Sequence, residues 1–168
     1  MSTTLQRIAY SPLWLLLHAV ALLPFGALYA LSDALAWVAA SVVRYRRRLV
    51  EANIAAAFPD KTEAERRDIV KRFYRNFTDV FVETIKLLHI SDDEMRRRMV
   101  FEDIEHVERI AKDGRSIGLY CSHFGNWEWI TSITLWVYRA DNVEYSQVYR
   151  PLRNKWFDRF WFNLRKRF

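Results

Sequence analysis

One cysteine, Cys121, stands alone among 168 residues, which excludes an intrachain disulfide framework and a cysteine-based zinc cluster. The missing disulfide points to a reducing compartment. No second histidine or cysteine sits at ligand spacing near His123, so the pattern gives no metal centre. Internal repeats, low-complexity runs and long linkers are also lacking. So is any RNP-like or helix-turn-helix pattern, which leaves nucleic-acid binding without support despite interleaved basic and aromatic residues. Acidic side chains are in deficit, 20 against 26 basic ones, for a net charge of +6. Such a balance suits anionic partners: phospholipid headgroups, phosphorylated glycolipids, acidic carrier proteins or nucleic acid.

Charge is scarcest between Pro12 and Val43, where His18 and Asp33 are the only strongly polar side chains. Leu13–Leu31 is long enough to cross a hydrocarbon core of about 30 Å as a helix, with Pro24 and Gly26 set to kink it. Ser32-Asp33 reads as the N-cap of a second apolar helix, Ala34–Val43, too short to span. Arg44-Tyr45-Arg46-Arg47-Arg48 follows, against a lone Arg7 before the run. The positive-inside rule then puts the bulk of the chain on the cytoplasmic side. A buried hairpin of core helices and a cleavable signal peptide compete with the membrane reading. The abundant aromatics, seven Trp, eight Tyr and eleven Phe, suit a water–lipid boundary or a large core. Two regions result: 1–48, an apolar anchor with a basic flank, and 49–168, part of a catalytic domain.

Beyond residue 49 the pattern predicts helices joined to a sheet. Thr62-Glu63-Ala64-Glu65 is a capping box. After it Ile69, Phe73, Phe77, Val80, Phe81 and Leu88 recur at helical steps. Ser91-Asp92-Asp93-Glu94 opens another helix, and Glu105–Lys112 a third that Asp113-Gly114 ends. Val100–Glu102, Ser116–Cys121 and Val143–Tyr149 read as strands, with the helical stretch Trp127–Val137 crossing between the last two. Strand, helix, strand at this spacing is a βαβ unit with parallel strands, whose carboxyl ends would aim His123 and Arg150 at one crevice. A final helix carries Trp156, Phe157, Phe160, Trp161 and Leu164 beside a basic face, the composition of a membrane-surface helix or of a core stripe.

The chemistry concentrates in His123-Phe124-Gly125-Asn126-Trp127-Glu128. A histidine at a strand's end, a glycine two places on and a carboxylate five places on can converge across one turn. The carboxylate then holds one ring nitrogen while the other takes a hydroxyl proton. His89 and Glu94 share the spacing, but Glu94 belongs to a capping box and His89 lacks both strand and glycine. Cys121, two residues before His123, offers a covalent acyl-enzyme route as an alternative.

These six residues, followed by Val148-Tyr149-Arg150-Pro151 with Asn154 and Asp158, and preceded by Asn53-Ile54-Ala55-Ala56-Ala57-Phe58-Pro59 and an apolar anchor, resemble the bacterial lipid A biosynthesis acyltransferases. That family lies within the lysophospholipid and glycerol-phosphate acyltransferase group. The resemblance implies an α/β fold: N-terminal membrane helices, then a mixed or parallel sheet flanked by helices. It implies fatty acyl transfer from acyl carrier protein, or coenzyme A, to a hydroxyl of a membrane phospholipid or glycolipid precursor, at the cytoplasmic face of the inner membrane. His123 is then the base and Glu128 its partner. Arg150, Arg165, Arg167 and Asn126 contact substrate, and no cofactor is needed. Family members are longer, so a C-terminally truncated member, its sheet incomplete, is expected. A non-catalytic carrier-binding module and a lipid ester hydrolase are the rival functions.

Overall fold

The computed structural model describes residues 3–137 and 144–168, and its side chains from Tyr10 onward. Seven α-helices carry these residues: α1 (Thr3–Leu22), α2 (Phe25–Trp37), α3 (Arg47–Ala57), α4 (Glu63–Lys86), α5 (Asp92–Arg98), α6 (Ile104–Lys112) and α7 (Lys155–Arg165). A π-helical turn, Val38–Val42, prolongs α2, and a 3₁₀ stretch, Trp127–Leu135, lies between α6 and α7. The chain divides into two compact units. One comprises Leu22–Ile85, the other the residues up to Ala21 and from Lys86 onward.

Among the described residues there is no strand, which overturns the expected mixed or parallel sheet. Val100–Glu102, Ser116–Cys121 and residues 144–149 have no ladder partner; Val143 lies outside the described residues. A strand exists only through hydrogen bonds to a neighbour, so an apolar run without one stays irregular however well its sequence suits a pleat. Tyr120, 98% exposed, and Leu119, 55% exposed, confirm that the run is not buried. The crevice between strand ends that was to collect His123 and Arg150 falls with the sheet.

In the unit Leu22–Ile85 the apolar run breaks differently from its expected bounds. Pro24 does not kink a long helix; it precedes a new one, with φ −63° and ψ 152°, accepting Leu28 N–H at 3.0 Å. Ser32 and Asp33 fall inside α2 rather than capping it. The continuous apolar helix is therefore Phe25–Val42, eighteen residues of mean hydropathy 1.4, long and apolar enough to cross a membrane.

One stripe of α2 packs on α4. Leu28, Ser32 and Ala36, one turn apart, are buried, and the small residues allow close approach. Polar links reinforce it: Ser32 Oγ donates to Thr78 Oγ1 at 3.0 Å, Tyr29 donates to Glu83 at 2.8 Å, and Arg75 pairs with Asp33 at 3.0 Å. Leu35, Trp37, Val38 and Val42 face outward. After the π-turn the backbone enters the left-handed region at Arg44 (φ 53°) and Arg46 (φ 49°), a conformation that costs an L-residue about 1–2 kcal/mol. Buried Tyr74 of α4 pins this turn by donating to the Tyr45 carbonyl at 2.7 Å.

The capping box at Thr62 forms in full and the one at Ser91 by half. Thr62 N donates to Glu65 Oε2 (2.8 Å) and Glu65 N to Thr62 Oγ1 (3.3 Å); bonds from Lys61, then Thr62, pull the Glu65 pKa down to about 2. Ser91 caps α5 through Glu94 N, while the Glu94 carboxylate turns to Arg97 and Arg98.

In the other unit, α1 meets α7 where Tyr10 stacks on Trp156 (centroids 4.7 Å apart) and accepts from Asn154 Nδ2 at 3.0 Å. Leu87, Ile90, Met95, Trp129, Phe160 and Leu164 supply buried apolar area. The aromatic stripe of α7 is thus partly core, since Phe160 and Leu164 are buried while Trp156, Phe157 and Trp161 are half-buried.

Candidate functional site

The irregular segment after α6 delivers His123 to the surface, where its ring lies 4.8 Å from that of Trp127. Gly125 then turns the chain with φ +55°, a conformation open to glycine and strained for other residues. Past that turn the 3₁₀ stretch begins, and Glu128 in its first turn is buried, 8% exposed. The exposed imidazole and the enclosed carboxylate are therefore five residues apart across one glycine turn.

The carboxylate is held from α7. Arg165 and Trp161, one helical turn apart and so on one face, both reach it. Arg165 Nε donates to Oε2 at 2.9 Å, Arg165 Nη2 to Oε1 at 2.7 Å, and Trp161 Nε1 to Oε1 at 3.2 Å. Fork-on-fork pairing fixes orientation as well as charge. No hydrogen bond joins His123 to Glu128 among the described residues. An ionised carboxylate has about four lone-pair sites, so three donors leave one acceptor position, on Oε2. The neighbourhood beneath is enclosed: Trp129, Thr131 and Ser132 are buried.

Other residues singled out from the sequence are placed as follows. Arg150 is exposed on the irregular segment before α7, whose Leu152 N–H donates to Asp158 at 2.8 Å. Asn126 is half-buried immediately before the 3₁₀ stretch. Arg165 is engaged by Glu128, and Arg167 by the Ile90 carbonyl (3.0 Å) and Asp92 (3.3 Å). Cys121 is exposed and free, and with no strand beneath it nothing places its thiol on the same face as His123. Among the described residues no group of three His, Cys, Asp or Glu is arranged to hold a metal.

Sequence reasoning did not find Trp161 as a partner of the acid. No local signal marked it, because the contact spans 33 residues.

A family model described as bacterial lipid A biosynthesis acyltransferase matches residues 2–168. Among curated proteins, a lipid A biosynthesis acyltransferase of Haemophilus influenzae is 24% identical over 132 residues, which is 79% of this chain and 40% of that protein. Lipid A biosynthesis acyltransferase 2 of Shigella flexneri is 23% identical over 74% of this chain and 38% of its own length. The lipid A biosynthesis lauroyltransferase of Escherichia coli K12 is 28% identical over 73% and 41%. The chain thus spans about two fifths of the length of these relatives. No solved structure matches.

Proposed function

The chain belongs to the bacterial lipid A biosynthesis acyltransferase family, and from that premise we propose that it supplies the base and acid of an O-acyltransferase acting on a membrane lipid precursor. The observation that carries the reading is the placement of an exposed His123 and a buried, oriented Glu128 on either side of the Gly125 turn. An exposed imidazole is reachable by a lipid hydroxyl; an enclosed carboxylate can stabilise charge that develops on the ring.

In the proposed reaction His123 takes the acceptor's hydroxyl proton as the oxygen attacks a thioester carbonyl. The tetrahedral intermediate collapses, the C–S bond breaks, and the imidazolium returns the proton to the departing thiolate. A well-placed base is worth about 10²–10⁴-fold in such a step. Glu128 supports the imidazolium through its remaining Oε2 acceptor site, while Arg165 and Trp161 keep the carboxylate from rotating away. Acyl carrier protein is the proposed donor, with coenzyme A as the alternative; the acceptor is a phosphorylated glycolipid or phospholipid. Arg150, exposed and cationic, is a candidate contact for their phosphates. We assign the chain to the cytoplasmic face of the inner membrane, a reading supported by the apolar helix Phe25–Val42 followed by the arginine cluster, under the positive-inside rule.

Incubating the purified chain with an acyl carrier protein thioester and a lipid acceptor tests the reading. Acyl chain on the lipid supports transfer. Free fatty acid assigns a hydrolase, and unchanged thioester assigns a binding module; either result overturns the proposal.

A further inference from the structure

The unit Leu22–Ile85 holds an open groove of about 220 Å³ that the catalytic reading does not use. Tyr45, Arg46, Leu49 and Asn53 line it together with Phe73 and Phe77 of α4. The aromatic wall is continuous: Tyr45 stacks on Phe77 at 5.6 Å, Phe77 on Phe73 at 5.9 Å, and the Arg46 guanidinium lies 5.7 Å from the centre of the Tyr45 ring. Leu49 and Tyr45 are roughly half exposed, so the apolar lining is open to its surroundings.

We propose that this groove binds one acyl chain of an anionic phospholipid, with Arg44 and Arg46 on its headgroup phosphate. Three observations commit it to that occupant. The groove's lining begins three residues after the apolar helix Phe25–Val42 ends, and the end of a spanning helix lies among headgroups. Charge is complementary: Arg44, Arg46 and Arg48 have no ion-pair partner among the described residues, whereas Arg47 is paired with Glu51. Size is the third argument. Pockets that enclose whole small ligands run to roughly 300–1,000 Å³. A smaller, open groove holds a stretch of chain whose remainder stays in the bilayer.

The Tyr74 hydrogen bond to the Tyr45 carbonyl fixes the turn that carries the left-handed Arg44 and Arg46, of which Arg46 lines the groove. The site is built before its ligand arrives. Nothing in the proposal depends on acyl transfer.

The test uses the full chain in vesicles doped with phosphatidylglycerol bearing a photoreactive diazirine in its acyl chain, and with the matched phosphatidylcholine. Labelled residues are mapped by mass spectrometry. An arginine beside an anionic surface favours association roughly fivefold. Two arginines therefore predict labelling at residues 45–54 and 73–77 that is roughly 25-fold greater with the glycerol headgroup. Arg44→Gln with Arg46→Gln should bring the two probes close to parity. Leu49→Gln, a change at an exposed wall position that leaves the fold intact, should lower labelling by both.

Labelling confined to residues 25–42 would overturn the proposal. Equal labelling by both headgroups in the unaltered chain would do the same, as would a preference that survives the double arginine substitution. Circular dichroism of each variant shows that helix content is retained, so a lost label reports a lost site.

Discussion

Replacing Arg165 with alanine perturbs the contact on which the acid's orientation rests. Glu128 is 8% exposed and loses two of its three donors, keeping only Trp161 Nε1 at 3.2 Å. Breaking a fully buried ion pair costs about 3–5 kcal/mol, because a charge is left without its partner in low dielectric. The guanidinium here is about a quarter exposed, so water reaches the vacated space and reduces the penalty. A loss of about 2–3 kcal/mol is expected. With a urea m-value of about 2 kcal/mol per molar, the unfolding midpoint falls by about 1–1.5 M. Adding Glu128→Gln removes the orphaned charge and should restore most of that loss, giving a coupling energy above about 1 kcal/mol in the double-mutant cycle. A midpoint within experimental error of the parent's in Arg165→Ala, or strict additivity in the cycle, would refute the reasoning.

The remaining predictions concern caps, turns and titration. Asn154→Ala removes the acceptor of the Trp156 and Phe157 N–H groups and a donor to Tyr10; calorimetry should show a loss of about 1–2 kcal/mol. Gly125→Ala forces an alanine into φ +55°, where a Cβ meets no atom within 4 Å, so the cost is the backbone's own, about 1–2 kcal/mol by denaturant titration. The Glu65 pKa is lowered from 4.5 to about 2, so its contribution to stability is complete above pH 4.5 and lost as pH falls toward 2. An acid titration of Glu65→Gln should lack that decline.

His18 donates to or accepts from His89 across 2.8 Å, and its pKa is lowered by burial and then by its neighbour's charge. The unfolded chain therefore binds that proton more readily, and stability should drop as pH falls through 6.5. Replacing His18 with glutamine should flatten the drop in a stability–pH profile.

The legible parts of this chain were those whose signal is local. The capping box at Thr62 and the apolar spacing from Ile69 onward gave α4, and Asp113-Gly114 gave the end of α6, where Gly114 takes φ +71°. The stripe from Trp156 to Leu164 gave α7 in the same way. Each of these depends on residues within two turns of one another. Strands do not. Ser116–Cys121 has a strand's composition, yet a ladder needs a second segment at matching register, and no local pattern says whether one is present. Pro24 was ambiguous for a related reason: a proline kinks a helix or starts one depending on its neighbours' packing. At the site, the His123-Gly125-Glu128 spacing was readable because it spans six residues, and the structure sets an exposed ring and a buried carboxylate on either side of the glycine with no hydrogen bond between them. The hold that Arg165 and Trp161 place on Glu128 crosses more than thirty, and it redirected to the carboxylate an arginine expected at substrate phosphate.

The central claim is that the His123 imidazole removes the acceptor's proton. Acyl transfer from carrier-protein thioester to lipid should be measured for His123→Ala beside the parent chain, with unfolding midpoints recorded on both preparations. Because the ring is exposed, with Trp127 as its aromatic neighbour, the unfolding free energy should change by no more than about 0.5 kcal/mol, while the transfer rate falls by about 10²–10⁴-fold. Transfer at the parent rate by a folded His123→Ala protein would contradict the account.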